Sequence, residues 1–153
     1  MGDWFYDAFM SFILGAAPIS EVRGAALHAF GLGTPYFIVF GIIGNIFAAL
    51  CLLLFWDLVK IKRIGMMIVG RRIEGMIDRY HKNHEKGEII ALTLFIGMPL
   101  PVTGVYSGIL VGKILKIDDR KILIASVAGV LLSSAIMFLA LSGTLSILSF
   151  LVP

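Results

Sequence analysis

The sequence has 153 residues, enough for one domain, and 59% of them are hydrophobic while 15% are charged. Soluble domains average about 45–50% apolar and about 25% charged residues, so this composition excludes the ordinary water-soluble classes. The net charge of +3 comes mainly from two short basic segments, 57–88 and 113–121. Basic loops beside membrane spans are ordinary topology signals, so we expect membrane lipid and not nucleic acid as the partner.

The first apolar block, residues 4–32, is too long for one membrane span and is interrupted at residues 17–24, called here the first tip. Pro18 lies in this tip, and proline removes a backbone donor and clashes with the preceding turn. Neither side of the break reaches the about 20 residues that cross a bilayer. The block therefore predicts a re-entrant hairpin of two half-length helices. The alternative is two short spans with the tip as a loop.

Residues 36–56 follow as an uncharged stretch of the length that a full transmembrane helix needs. Asn45 lies inside this span and is a candidate for lining a polar cavity, with an interhelical hydrogen bond as the equal alternative. The next segment, 58–88, is basic and carries apolar residues at helical spacing. It predicts an amphipathic helix on the membrane surface, with an anionic-lipid sensor as the functional alternative. His81 and His84 within it lack further ligands, so no metal or cofactor site is expected.

The second half repeats this order. Residues 89–112 are apolar and are interrupted at residues 98–104, the second tip, which contains Pro99, Pro101, Thr103 and Gly104. A second full span is predicted over residues 122–141. The apolar tail, 142–153, is too short to cross and either extends this span or folds back into the membrane.

The two halves point to an inverted repeat. Pro18 lies 81 positions before Pro99, and the same offset places Gly31 on Gly112. One span per half makes the second half enter from the opposite side, a common transporter plan. The predicted fold is an all-α integral membrane protein with one domain over residues 1–153. Its parts are the first inverted half (4–57), the amphipathic linker (58–88), and the second half with the tail (89–153).

The basic loops predict the orientation. In the inverted arrangement, the linker and the loop around residues 113–121 lie on one face, and the acidic N-terminus lies on the other. The positive-inside rule then places the linker in the cytoplasm and the N-terminus outside. We expect a multi-pass protein of the cell (cytoplasmic) membrane.

Glu21 and Arg23 are the residues most suited to a functional site. Ionisable groups at membrane depth cost free energy and usually face a cavity, pair, or mark a substrate or proton path. A purely structural pair is the alternative. Ser20 and Thr103 are predicted to cap the helices that restart after each tip. The positive helix ends and the Arg23 guanidinium would together favour an anion, and Glu21 is expected to accept a proton.

Two segments carry a family resemblance. The signature P-x-x-E-x-R-G-A of the small multidrug export proteins resembles residues 18–25, and their P-L-P-x-T-G signature with a later glycine resembles residues 99–108. That family is similar to the DedA (VTT-domain) superfamily, whose members have two inverted re-entrant hairpins and are implicated in moving lipids or polyprenyl phosphates. The resemblance implies that Glu21 and Arg23 match the family's charged tip.

The sequence therefore predicts a secondary transporter or flippase, coupled to protons, for an anionic amphiphile such as a lipid-linked phosphate. The alternatives are efflux of cationic compounds and a membrane-organising protein that transports nothing. No catalytic motif is present, so we do not expect an enzyme. Two copies would supply the helix number of a small transporter, so a homodimer is expected. The predicted site is formed by both tips and the first span, namely Pro18, Ser20, Glu21, Arg23, Gly24, Asn45, Pro99, Pro101, Thr103 and Gly104.

Overall fold

The structure is a computed structural model that describes residues 4–56, 87–100 and 103–151. All regular elements in these ranges are helices, so the all-α prediction is confirmed for them. The predicted linker helix, with His81 and His84, lies outside the described residues, as does Pro101. The elements of the first half are α1 (Trp4–Ala16), α2 (Glu21–Gly31), a 3₁₀ turn (Pro35–Phe37) and α3 (Ile38–Leu54). Those of the second half are α4 (Glu88–Gly97), α5 (Val105–Ile114) and α6 (Asp119–Leu151).

Two stretches in the described ranges are long and apolar enough to cross a membrane. They are Pro35–Leu54, with 20 residues, and Asp119–Thr144, with 26 residues. Both predicted spans are therefore found as helices of sufficient length. The whole of α6 has 33 residues, which at about 1.5 Å per residue is about 50 Å. Of the two alternatives for the tail, the structure shows extension of the last helix as far as Leu151.

The other four helices are short. They have 13 residues in α1, 11 in α2, and 10 each in α4 and α5. At about 1.5 Å per residue they reach roughly 15–20 Å, about half of a bilayer core. Each half therefore consists of two half-length helices and one long helix.

Both halves turn from the second short helix to the long helix in the same way. Two positions after the end of each of α2 and α5, one residue has a left-handed backbone. These residues are Gly33, with φ +69°, and Lys116, with φ +56°. The following residue then donates its N–H to a carbonyl in the last helical turn, as in a Schellman motif. These bonds run from Thr34 to Ala29 and from Ile117 to Gly112, at 3.0 and 2.9 Å.

Glycines set the close packing of helices inside the chain. A side chain at Gly15 would collide with the backbone of Gly41, which brings α1 and α3 into close contact. In the second half, Gly108 of α5 and Gly129 of α6 both lie against Ile96 of α4. Small residues permit this approach of helices in lipid. The glycine-containing faces of α5 and α6 therefore pack within the protomer.

The long helices connect two chemically different ends of the molecule. At one end, Trp4 packs on Phe37 with ring centres 6.2 Å apart. At the other end, the Lys113 ammonium lies 5.6 Å from the Trp56 ring centre, and Lys121 Nζ is 3.1 Å from the buried Glu88 carboxylate. Trp56, at the end of the first half, and Glu88, at the start of α4, therefore both lie beside the segment that joins α5 to α6.

The outer surface carries large apolar side chains on helices of both halves. Phe5 on α1, Phe47 on α3, Ile90 on α4 and Leu139 on α6 are all more than half exposed. A water-soluble protein rarely presents extended apolar patches. This surface, with the two long apolar helices, is that of a membrane protein.

Candidate functional site

A hydrogen bond joins the two tips, and another, in the opposite direction, joins residues close to them in sequence. Arg23 of the first tip donates through Nη2 to the carbonyl oxygen of Thr103 in the second tip. Tyr106, in the first turn after the second tip, donates its hydroxyl to the carbonyl oxygen of Ala16 at the end of α1. Residues far apart in sequence thus form one site where the halves meet.

Glu21 lies between these contacts. Its carboxylate accepts hydrogen bonds from the backbone N–H groups of Val105 and Tyr106 at the start of α5. Arg23 Nη2 lies 3.9 Å from Glu21 Oε2, and the Glu21 side chain is 10% exposed. The carboxylate of one half therefore satisfies the free N–H groups of a helix in the other half, where the positive end of the helix dipole favours an anion.

The backbone at Glu21 is unusual. Its φ is +49°, a left-handed conformation that costs a residue with a side chain about 1–2 kcal/mol. Such strained residues persist only where the surrounding structure holds them, and they cluster at functional sites. Here the contacts with α5 and Arg23 hold the side chain in place.

Gly104 makes room for this carboxylate. It precedes α5 with φ +150°, and a Cβ built on it would overlap the Glu21 carboxyl group. A glycine is therefore required at this position for two reasons, since a side chain would strain the backbone and would displace Glu21.

The predicted capping by Ser20 and Thr103 is wrong. Ser20 has helical backbone angles, and its hydroxyl donates back to the Leu14 carbonyl at 2.6 Å. Thr103 lies one residue before the actual cap, Gly104. An N-capping hydroxyl belongs to the residue directly before the helix, in a non-helical backbone conformation. Ser20 has the position but not the conformation, and Thr103 lies one residue too early. Glu21 takes over the role at α5.

A cavity of about 300 Å³ opens beside the ion pair. Its volume is at the lower end of the range for small-molecule pockets. The Nε of Arg23 is buried and has no hydrogen-bond partner among the described residues. The lining residues come from both tips and from α5; they are Pro18, Ile19, Glu21, Arg23, Thr103, Tyr106 and Ser107.

The structure brings together some of the predicted site residues and leaves others apart. Pro18, Glu21, Arg23 and Thr103 line the cavity. Gly104 lies against Glu21, and Gly24 lies against the side chain of Ser20. Neither Pro99 nor Asn45 is among the lining residues. Asn45 is buried in α3, apart from this cavity, and its Oδ1 has no partner in the described ranges.

Three lining residues were missed from the sequence, namely Ile19, Tyr106 and Ser107. Tyr106 and Ser107 belong to the first turn of α5. Side chains in a helix tilt toward its N-terminus, so residues in the first turn after a tip are directed back to that tip. This signal could have identified both.

The arrangement can bind an anion. One full positive charge and the N-terminal backbone donors of α5 converge on one point, and the Glu21 carboxylate occupies them. No group of three or more His, Cys, Asp or Glu side chains suited to a metal occurs in the described ranges.

Comparison with known proteins gives one match. Residues 21–136 match the family described as "Putative small multi-drug export protein". The match spans about three quarters of the chain and includes both charged residues of the first tip and the whole second tip. Neither a curated protein nor a solved structure matches the chain.

Proposed function

Because the chain belongs to the small multi-drug export protein family, we propose that it is a secondary membrane transporter for an anionic amphiphile, such as a lipid-linked phosphate, coupled to protons. One observation carries this proposal. Arg23 of the first tip and the backbone donors of α5 converge on a single anionic group beside a cavity between the tips. Arginine and helix N-termini are the groups that proteins use for phosphate and carboxylate.

The proposed architecture is two inverted halves, each with a re-entrant hairpin and one full span, as in the DedA superfamily. It is supported by the half-length helices, the repeated element order and the shared turn after α2 and α5. The N-terminus would lie outside and the linker in the cytoplasm of the cell membrane. Non-helical backbone at membrane depth is tolerated when it lines a cavity, and the tips line one.

The same geometry suits coupling to protons. Glu21 is an acidic group at the cavity, in direct contact with Arg23 and α5. Buried acidic residues commonly serve as proton sites in transporters. A homodimer is proposed as the working unit, since two copies would supply the helix number of a small transporter.

A second candidate is efflux of cationic compounds. The family description names multi-drug export, and Glu21 would bind the substrate if that substrate is a cation. A cation would have to displace both Arg23 and the α5 N–H groups from the carboxylate, whereas an anion has to displace only Glu21, so we favour the anion.

Proteoliposomes test the proposal. A fluorescent phospholipid or polyprenyl phosphate and a fluorescent cation are followed with and without a pH gradient, for the wild type, Arg23→Ala and Arg23→Lys. We expect gradient-driven movement of the phosphate that Arg23→Ala abolishes and Arg23→Lys retains in part, because lysine keeps the charge but not the planar fork.

The other outcomes separate the alternatives. Movement of the cation alone, lost on Glu21→Gln, would replace the proposal with efflux of cationic compounds. No movement of either probe under any gradient would favour a protein that organises the membrane and transports nothing.

A further inference from the structure

The donors that surround Glu21 are those that an incoming oxyanion would need. We propose that the Glu21 carboxylate is a built-in competitor for the substrate's anionic group, so that the cavity accepts an oxyanion only together with one proton. This inference rests on the proposed function and deepens it, because it assigns the form of coupling and the stoichiometry.

Competition follows from shared contacts. The backbone N–H groups of Val105 and Tyr106 both bond to the Glu21 carboxylate, and Arg23 lies against it at 3.9 Å. A carboxylate and a phosphate or sulfonate headgroup use the same kind of acceptor oxygen. Two anions cannot share these donors in a poorly solvated site without strong repulsion. The substrate therefore binds when Glu21 leaves.

The surroundings provide room and one more donor for the exchange. The cavity of about 300 Å³ adjoins the carboxylate, and a headgroup can enter it while its tail stays in lipid. The buried Arg23 Nε lacks a partner in the described part of the chain. An unsatisfied buried donor costs free energy, and an oxyanion that draws the Arg23 side chain toward the cavity would relieve that cost.

The charge balance fixes the stoichiometry. With Glu21 ionised and the cavity empty, Arg23 and Glu21 cancel. With Glu21 protonated and a monoanion bound, Arg23 and the monoanion cancel. The two remaining combinations leave one charge unpaired at membrane depth, which costs several kcal/mol. One proton therefore accompanies each monoanion, and no net charge moves.

Among the described residues, few groups disturb this balance. Arg23 on α2 and Tyr106 on α5 act electrostatically on Glu21, and Cys51 on α3 acts on Tyr106. Glu21 is then the group whose protonation controls the anion site.

Binding of an alkyl sulfonate tests the proposal without interference from the ligand. A phosphate monoester itself takes up a proton at about pH 6, whereas a sulfonate keeps one negative charge over the whole pH range of the experiment. A fluorescent long-chain sulfonate and a short soluble one are titrated into the nanodisc-embedded wild type, Glu21→Gln and Glu21→Ala between about pH 5 and about pH 9. The two chain lengths distinguish an amphiphile site from a site for small anions.

The expected result is a difference between the wild type and the variants in how sulfonate affinity changes with pH. Wild-type affinity should fall about tenfold for each pH unit once Glu21 is ionised, since one proton is linked to binding. The affinity of both variants should not change with pH, and Glu21→Ala should bind at least about tenfold more tightly than the wild type at the highest pH. A variant that keeps the wild-type slope, or folded variants that bind nothing while the wild type binds, would overturn the proposal.

Two further readouts keep the test decisive. Melting temperatures identify a variant that fails to fold, and Glu21→Gln, which keeps the size of the side chain, covers failure of Glu21→Ala. Sulfonate flux in wild-type proteoliposomes should not respond to a potassium-diffusion potential, and a flux that follows the potential would contradict one-to-one coupling. Absence of any sulfonate binding at any pH would instead reject the anion site, and with it the proposed function.

Discussion

The two tips differ in how they contribute to one site. The first tip supplies the side-chain charges, Glu21 and Arg23, and the second tip, residues 98–104, has no charged residue. The second tip supplies backbone groups instead, with the Thr103 carbonyl accepting from Arg23 and the start of α5 donating to Glu21. Charges in one half are thus neutralised by main-chain dipoles in the other, so neither tip completes the site alone.

The tips also differ in internal order. The Thr103 hydroxyl is within hydrogen-bonding distance of two carbonyls of its own tip, those of Met98 at 2.5 Å and Leu100 at 2.9 Å. The first tip instead holds Glu21 in a left-handed conformation. The described residues of the second tip are thus held by bonds within that tip, whereas the strained conformation of Glu21 is held by contacts with the other half.

Removal of the Arg23 side chain should lower the free energy of unfolding more than any other substitution at the two tips. Arg23→Ala leaves Glu21 buried without its counter-charge, which costs about 3 kcal/mol in the free energy of unfolding. Denaturant unfolding in detergent measures it, with Arg23→Lys as the partial control. An Arg23→Ala protein as stable as the wild type would show that the backbone of the second tip alone compensates the carboxylate.

Gly104→Ala should have the second largest effect and lower the free energy of unfolding by about 2 kcal/mol. The new Cβ would overlap the Glu21 carboxylate, and alanine disfavours φ +150°. Gly143→Ala is the matched control, because a Cβ there meets no atom within 4 Å, and it should change stability by less than about 0.5 kcal/mol. Equal effects of the two substitutions would mean that the first tip is not seated on Gly104.

Gly33→Ala compares the turns that leave the two hairpins. Gly33 needs φ +69° but has open space around its Cβ position, so alanine should cost about 1 kcal/mol through the backbone alone. Gly31→Ala, which also has open space and lacks the positive φ, should be neutral or slightly stabilising. A neutral Gly33→Ala would show that this turn tolerates a side chain as readily as its equivalent at Lys116.

Tyr106→Phe should have the smallest effect. It removes only the hydrogen bond to the Ala16 carbonyl, and such bonds between membrane helices contribute about 0.6 kcal/mol. Tyr36→Phe is the control, since Tyr36 is exposed on the 3₁₀ turn. A loss well above 1 kcal/mol would indicate that the bonds between the tips are cooperative.

Much of the fold could be predicted because its causes are local. Pro18 and Pro99 break apolar blocks that are too short on either side to cross alone, and the length of the uncharged stretches predicts α3 and α6. The contact between the tips depends on tertiary packing and has no local signal. Ser20 illustrates the limit, because a serine hydroxyl before a helix can cap it or bond back to the preceding turn, and the sequence does not distinguish the two.

The length of α6 has a consequence for the surrounding bilayer. Its apolar stretch of 26 residues reaches about 39 Å, against a hydrocarbon thickness of about 30 Å. Such an excess is accommodated by tilting, kinking or local thickening of the membrane. α6 packs against α4 and also against α2 and α3 of the first half, so a change in its tilt would act on both halves. We therefore expect bilayer thickness to bear on the helices that position both tips.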